Sequence, residues 1–291
     1  MASLSQWVGG ARPRTLPAAI SSVAVGTGLA VNAEVFIPLR ALLALLVAVA
    51  LQIGVNYAND YSDGIKGTDE ARVGPVRLVG QRLASPASVR FAAFASFAVA
   101  AIVGTGLVAL VGQWWLLLIG VACVSAAWLY TGGPKPYGYH GLGEVFVLVF
   151  FGLVPVVGTL YVQALTVSVA SFVASVGVGL LACAVLVTNN LRDIPTDLAS
   201  GKRTLAVRLG DARTRSLYLA LIAGTAAATI AVAVLISWWL LIVLIALGLA
   251  IGPVRLVRGG ATGPALVPAL KGTGLLVLGY GLALAAGLCL V

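Results

Sequence analysis

Charge is scarce in this chain: 9% of its 291 residues are Asp, Glu, Lys or Arg, while 60% are hydrophobic. A soluble fold covers itself with those charged residues, so this composition excludes one. There is one histidine, His140, and three cysteines, Cys123, Cys183 and Cys289, each inside an apolar run. That rules out a disulfide framework and the usual Cys/His zinc patterns, and leaves the cysteines as small packing residues. Acids are scarcer still, nine against eighteen Lys and Arg, for a net charge of +9.

What remains is apolar sequence, with a mean hydropathy of +1.07. Runs of about 20 apolar residues span a bilayer. They fall near 16–35, 39–59, 87–110, 114–131, 143–163, 168–190, 213–235, 237–256 and 270–290. These predict an all-α polytopic membrane protein of nine helices, a single integral-membrane domain over 1–291. Arg12 and Arg14 ahead of the first run imitate a signal peptide. Eight further runs make a retained helix the expectation.

With the N-terminus inside, every Lys and Arg except Arg40 falls on the inner side, so the orientation rule places the N-terminus in the cytoplasm and the C-terminus outside. That distribution accounts for the +9 without any nucleic acid. The loops near 60–86 and 191–212 are long and charged, whereas the outer connections are short, so function is expected at the cytoplasmic face of a cell membrane.

Two of the acid-bearing stretches stand out because each ends a greasy run. They are Asn56-Tyr57-Ala58-Asn59-Asp60-Tyr61-Ser62-Asp63 and Asn189-Asn190-Leu191-Arg192-Asp193-Ile194-Pro195-Thr196-Asp197. A carboxylate at membrane depth costs roughly 2.5–3.5 kcal/mol on insertion scales and needs a compensating partner. Four spans separate the two stretches, so both emerge on the same face. Asn56/Asp60 and Asn189/Asp193 have the i, i+4 spacing that puts a pair on one helical face.

Magnesium takes a few carboxylates together with phosphate oxygens and water. Asp60, Asp63, Asp193 and Asp197 match that demand, with Asn56, Asn59, Asn189 and Asn190 as neutral ligands or hydrogen-bond donors. Arg72, Arg77, Arg192, Lys202 and Arg203 follow closely and would balance phosphate charge. The bland reading is that Asn-Asp and Ser-Asp-Gly simply favour helix ends. A third element is Tyr130-Thr131-Gly132-Gly133-Pro134-Lys135-Pro136-Tyr137-Gly138-Tyr139. It reads as an interfacial aromatic turn, or as Lys135 for a diphosphate and tyrosine faces (Tyr130, Tyr137, Tyr139) for a developing carbocation. Glu144 is another acid at membrane depth.

These residues resemble the UbiA-type intramembrane aromatic prenyltransferases. Their first motif, Asn-Asp-x-x-Asp-x-x-x-Asp, is matched by Asn59, Asp60 and Asp63. Gly67 stands at the third aspartate position and Asp69 two residues later. Their second motif, Asp-x-x-x-Asp, is matched by Asp193 and Asp197. The run 56–69, Arg72-Val-Gly-Pro-Val-Arg77, Asn190-Leu-Arg-Asp193, 201–210 and the opening Ala11-Arg-Pro-Arg-Thr-Leu-Pro17 are similar to the 1,4-dihydroxy-2-naphthoate polyprenyltransferases of menaquinone synthesis.

The resemblance implies helices ringed around a lipid-lined cavity, with a polyprenyl diphosphate bridging two magnesium ions held by Asn59, Asp60, Asp63, Asp193 and Asp197, with Asp69 as a further candidate. It implies ionisation to an allylic cation, attack on 1,4-dihydroxy-2-naphthoate, and loss of carbon dioxide. Other branches of the family, with 4-hydroxybenzoate or haem-type acceptors, remain open at this level. So do an ion-coupled transporter, because carboxylates within a membrane also mark cation paths, and a non-catalytic prenyl-lipid binder.

Overall fold

The computed structural model describes residues 2–68 and 76–291, all helix and connecting turns without a strand among them. A short helix, Leu4–Gly10, leads through a 3-10 turn into the first span, Leu16–Asn32. Pro38–Ile65, Pro86–Val111, Leu116–Leu129, Gly143–Ala164, Val169–Ala199, Leu205–Leu235, Trp238–Arg258 and Gly263–Cys289 are the second to ninth spans. Among the described residues eight helices are long and apolar enough to cross a membrane, and the chain is a multi-pass membrane protein.

Local sequence fixes the ends. Ser85, Ser168 and Thr204 each accept a backbone N–H as N-caps of the third, sixth and seventh spans. Prolines open the second, third and ninth. The seventh was expected to start at 213; it begins at Leu205, but Gly210 breaks it at φ +75°, so the continuous helix follows that turn.

The fourth helix lies where it was expected but is too short for a full span. It is 14 residues, about 21 Å at 1.5 Å per residue, against a hydrocarbon core of about 30 Å. Its residues are mostly uncovered, with Ala126 the buried exception and Leu118 and Val121 72% and 65% exposed. By contrast the second and sixth spans overrun their expected ends at 59 and 190 and continue helical to Ile65 and Ala199. Both acidic stretches therefore lie on helix. Pro195 does not stop the sixth because it falls in the final turns.

The main core joins Val25 and Leu29 of the first span to Val156, Val178, Val232, Leu240 and Leu276 of the fifth to ninth. The first and ninth spans meet almost backbone to backbone. A Cβ on Gly281 would fall 1.8 Å from Ser21 Oγ, and one on Gly28 would fall 2.7 Å from the Ala285 carbonyl. Ser21 Oγ also donates to the Val277 carbonyl at 2.9 Å. Small residues thus close the bundle where chain start and chain end meet. What it encloses is a cavity of about 1670 Å³, larger than the 300–1,000 Å³ of ordinary ligand pockets, on the order of magnitude of a long lipid. The first to sixth and ninth spans line it, while the seventh and eighth pack outside as buttresses.

Candidate active site

The second span brings a polar stripe to the cavity. Gln52, Asn56, Asn59 and Asp63 all line it, and their spacing of four, three and four residues keeps them on one helical face. The sixth span brings Asn189, Asn190, Arg192 and Asp197 to the same mouth, and Lys202 and Arg77 join from the loops. Most of these polar groups are buried, with Asp63, Asp197, Arg77, Arg192 and Lys202 at 2–5% exposure. The deeper wall is apolar.

Asp63 is the hub. Its Oδ1 accepts from Tyr139 OH at 2.5 Å and pairs with Lys202 Nζ at 3.0 Å. Lys202 also lies 4.6 Å from the Tyr139 ring centre. Lys66 Nζ donates to the Thr131 carbonyl at 2.6 Å and sits 5.0 Å from the same ring. Burial holds the Lys66 ammonium below its usual range, Asp63 pulls it back up, and Lys202 pushes it further down. Thr131 Oγ1 donates to Asn59 Oδ1 at 2.8 Å. The tyrosine loop therefore folds down onto the first acidic stretch, and Arg203 N ties it to the loop after the sixth span by donating to the Tyr139 carbonyl at 2.9 Å.

Two expected ligands are placed elsewhere. Asp60 is fully buried and outside the cavity wall. Its two oxygens accept the backbone N–H groups of Leu78 at 2.7 Å and Val79 at 3.1 Å. The i, i+4 relation to Asn56 is real, but eight residues on from Gln52 the helix has turned Asp60 towards the 76–84 segment. Asp193 is covered by its own neighbour: Arg192 Nε and one terminal nitrogen each donate to its carboxylate at 2.7 Å. That same terminal nitrogen donates to Asn189 Oδ1 at 2.9 Å.

Lys135 is a further correction. It is exposed and not part of the cavity wall, because Pro134 and Pro136 hold it on a rigid turn. Lys202 takes the place expected of it. Tyr130 and Tyr137 do line the cavity, packed edge to face at 5.4 Å, and Tyr137 stacks on Phe146. Tyr137 OH is spent on the Ala126 carbonyl at 2.7 Å, and burial raises its phenol pKa. Tyr139 lines the cavity as well, with its hydroxyl given to Asp63. Glu144 is half-buried outside the lining and accepts from Asn190 Nδ2 at 3.3 Å. Asp69 and Arg72 lie outside the described residues.

Sequence reasoning passed over Gln52, Thr131 and Lys66. A glutamine amid apolar residues, in helical register with Asn56, Asn59 and Asp63, was the available signal for the first.

Magnesium suits these residues. Asn59, Asp63, Asn189, Asn190 and Asp197 are hard oxygen donors, and among the described residues no three His, Cys, Asp or Glu gather into a closed cage. That is the donor set expected of an ion that keeps phosphate oxygens and water as its other ligands.

A lipid-scale cavity with an acid-and-amide mouth on an all-helical membrane bundle defines a class, the intramembrane group-transfer proteins. The sequence matches the UbiA prenyltransferase family over residues 19–267, and the chain belongs to that family. It is 54% identical over 290 residues to a 1,4-dihydroxy-2-naphthoate octaprenyltransferase of Mycobacterium leprae, covering 100% of this chain and 98% of that one. To the Mycobacterium tuberculosis protein of the same name it is 55% identical over 288 residues, covering 99% and 98%. The Escherichia coli protein of that name is 40% identical over 225 residues, covering 75% of this chain and 73% of its own. The fold is also that of a UbiA homolog from Archaeoglobus fulgidus solved with DMAPP and Mg2+, at TM-score 0.68, 16% identity and coverage of 97% and 99%.

Proposed function

We propose that the protein transfers a polyprenyl group from polyprenyl diphosphate to 1,4-dihydroxy-2-naphthoate, releasing diphosphate and carbon dioxide and giving demethylmenaquinone. The observation that carries this is the join of a lipid-scale apolar cavity to the Asn59, Asp63, Asp197, Lys202 and Arg192 mouth. Near-full-length similarity to proteins named for that reaction supports the choice of acceptor.

The prenyl tail lies along the apolar wall, which keeps water from the allylic cation that ionisation produces. Lys202 and Arg192, with Arg77 at the rim, balance the diphosphate charge. Asn59, Asp63 and Asp197, with Asn189 and Asn190 beside them, would hold magnesium, two ions in this reading. Bound there, it would stabilise the negative charge that develops on the leaving diphosphate. Tyr139 orients Asp63 through its hydroxyl, and the Tyr130 face looks into the cavity where cationic charge develops. The mouth is assigned to the cytoplasmic side of the cell membrane on the distribution of Lys and Arg.

The test is purified protein in detergent with magnesium, a long prenyl diphosphate and 1,4-dihydroxy-2-naphthoate. The proposal expects prenylated naphthoate product and its loss on Asp63→Ala. Product from 4-hydroxybenzoate in its place would move the protein to another branch of the family, and no product from either acceptor would refute prenyl transfer.

A further inference from the structure

Among the described residues six cations line the cavity: Arg12 and Arg77 lie close enough to Asp60 to act on its charge, and the other four fall into two sets. Arg192 and Lys202 are engaged with Asp193 and Asp63 at the acidic mouth. Arg14 and Lys271 also line the cavity, and neither has an acidic partner among the described residues. Both are exposed residues, and their backbones come together across the junction of the first and ninth spans. A Cβ on Gly274 would lie 3.5 Å from the Arg14 carbonyl oxygen, and Lys271 stands one helical turn before Gly274 on the same face.

Next to Arg14, Thr15 links this pair to the polar stripe. Thr15 Oγ1 donates to the Arg12 carbonyl at 2.9 Å and accepts from Gln52 Nε2 and Asn56 Nδ2, each at 2.9 Å. Gln52 Nε2 also donates to Asn56 Oδ1 at 3.3 Å. Asn56 Oδ1 is held in place because Asn56 Nδ2 donates to the Ala11 carbonyl at 2.8 Å, so flipping the Gln52 amide would set two oxygens against each other. That orientation leaves Gln52 Oε1 as an acceptor with no donor from the protein, on a side chain 95% buried that is itself part of the cavity wall. Buried acceptors are nearly always satisfied, so this one points to a donor that arrives with a ligand.

We infer that Arg14, Lys271 and Gln52 form the subsite for the aromatic acceptor, with the two cations taking its carboxylate and the Gln52 amide oxygen taking a ring hydroxyl. This rests on the prenyl-transfer reading above and specifies where that reaction's second substrate sits. A hydroxyaryl carboxylate carries both required groups, an anion and an O–H donor. The reaction also brings two anions into one cavity, and separate cation sets keep the acceptor carboxylate from competing with the diphosphate for Lys202 and Arg192. The stripe runs from Gln52 through Asn56 to Asn59 and Asp63, so this subsite adjoins the site of ionisation.

The test uses the full-length protein in nanodiscs of zwitterionic lipid, assayed with 1,4-dihydroxy-2-naphthoate and with 1,4-dihydroxynaphthalene, which lacks the carboxylate. In Arg14→Gln/Lys271→Gln the KM for the acid should rise about tenfold or more. The KM for prenyl diphosphate should hold, as should the KM for the carboxylate-free acceptor, so that the preference for the acid collapses. Lys271→Arg should retain the preference. Gln52→Met should narrow the difference between acceptors with and without one ring hydroxyl. Equal losses on both acceptors would mean a structural role and would overturn the subsite. So would an effect seen only when anionic lipid is added, which would assign the cations to a lipid headgroup.

Direct titration of the naphthoate onto the protein keeps the two proposals apart. Binding by the wild type that the double variant loses supports the subsite even without turnover. Turnover with unaltered binding in the variant overturns the subsite alone.

Discussion

The two acidic stretches look alike in sequence and are built differently. In the first, Asp63 lines the cavity among Tyr139 and Lys202, while Asp60 turns away and clamps the amides of Leu78 and Val79. In the second, Asp197 lines the cavity while Asp193 is sealed beneath Arg192. Each stretch thus divides into a carboxylate at the cavity and a carboxylate that holds the frame. The frames differ in kind: one fixes a loop through backbone hydrogen bonds, the other fixes a guanidinium that itself faces the cavity. Burial alone would not separate these roles, since all four acids are nearly inaccessible. Partners and orientation do.

Substitutions can break that division, and the largest effects should come from the cavity-facing acids. Asp63→Ala and Asp197→Ala should each reduce kcat/KM by about 10²–10³-fold or more, the range seen when a group stabilising transition-state charge is removed. Asp197→Ala should keep its size-exclusion profile and thermal midpoint close to wild type, whereas Asp63→Ala also leaves the buried Lys202 ammonium unpaired and should lower the midpoint as well as the activity.

Asp193→Ala should come next, and its signature should be instability. Removing one member of a buried ion pair costs about 3–5 kcal/mol because the partner charge is left uncompensated. Arg192→Leu/Asp193→Leu should recover much of the thermal midpoint lost by the single variant but not the activity, because the proposed function also gives Arg192 to the diphosphate. Thermal unfolding of the three proteins in one detergent checks this.

Asp60→Asn is expected to be milder. One of the two amides it serves would face an N–H donor, a loss of about 1–3 kcal/mol for an unsatisfied buried group. Faster proteolysis within 76–84 with most activity retained is the expected outcome. Lys135→Ala should be the smallest, within about twofold of wild type, since surface substitutions outside special features are near neutral. A hundredfold loss there would restore Lys135 to the site.

Much of this is legible in the amino-acid sequence. Hydropathy marks the spans because a bilayer demands long apolar helices, and helix parity brings Asp63 and Asp197 to one mouth. The i, i+4 rule says which side chains share a face but not which face meets the cavity, so Asp60 and Asp63 could not be told apart. Nor does sequence say that a neighbour such as Arg192 will fold back over Asp193. The short fourth span hid behind an apolar run, whose flanking Trp114 and Trp115 form a turn before the helix. Lys135 was misleading because a lysine among tyrosines has the right chemistry, while the prolines that hold it outward act only through backbone geometry.

The central claim is that one acid in each stretch acts on the substrate and the other does not. Magnesium-dependent binding of a prenyl diphosphate, measured by calorimetry on Asp60→Asn and Asp63→Asn in parallel, tests it most directly. The account predicts affinity near wild type for Asp60→Asn and no measurable binding for Asp63→Asn. Folded Asp60→Asn protein that loses binding as completely as Asp63→Asn would contradict it.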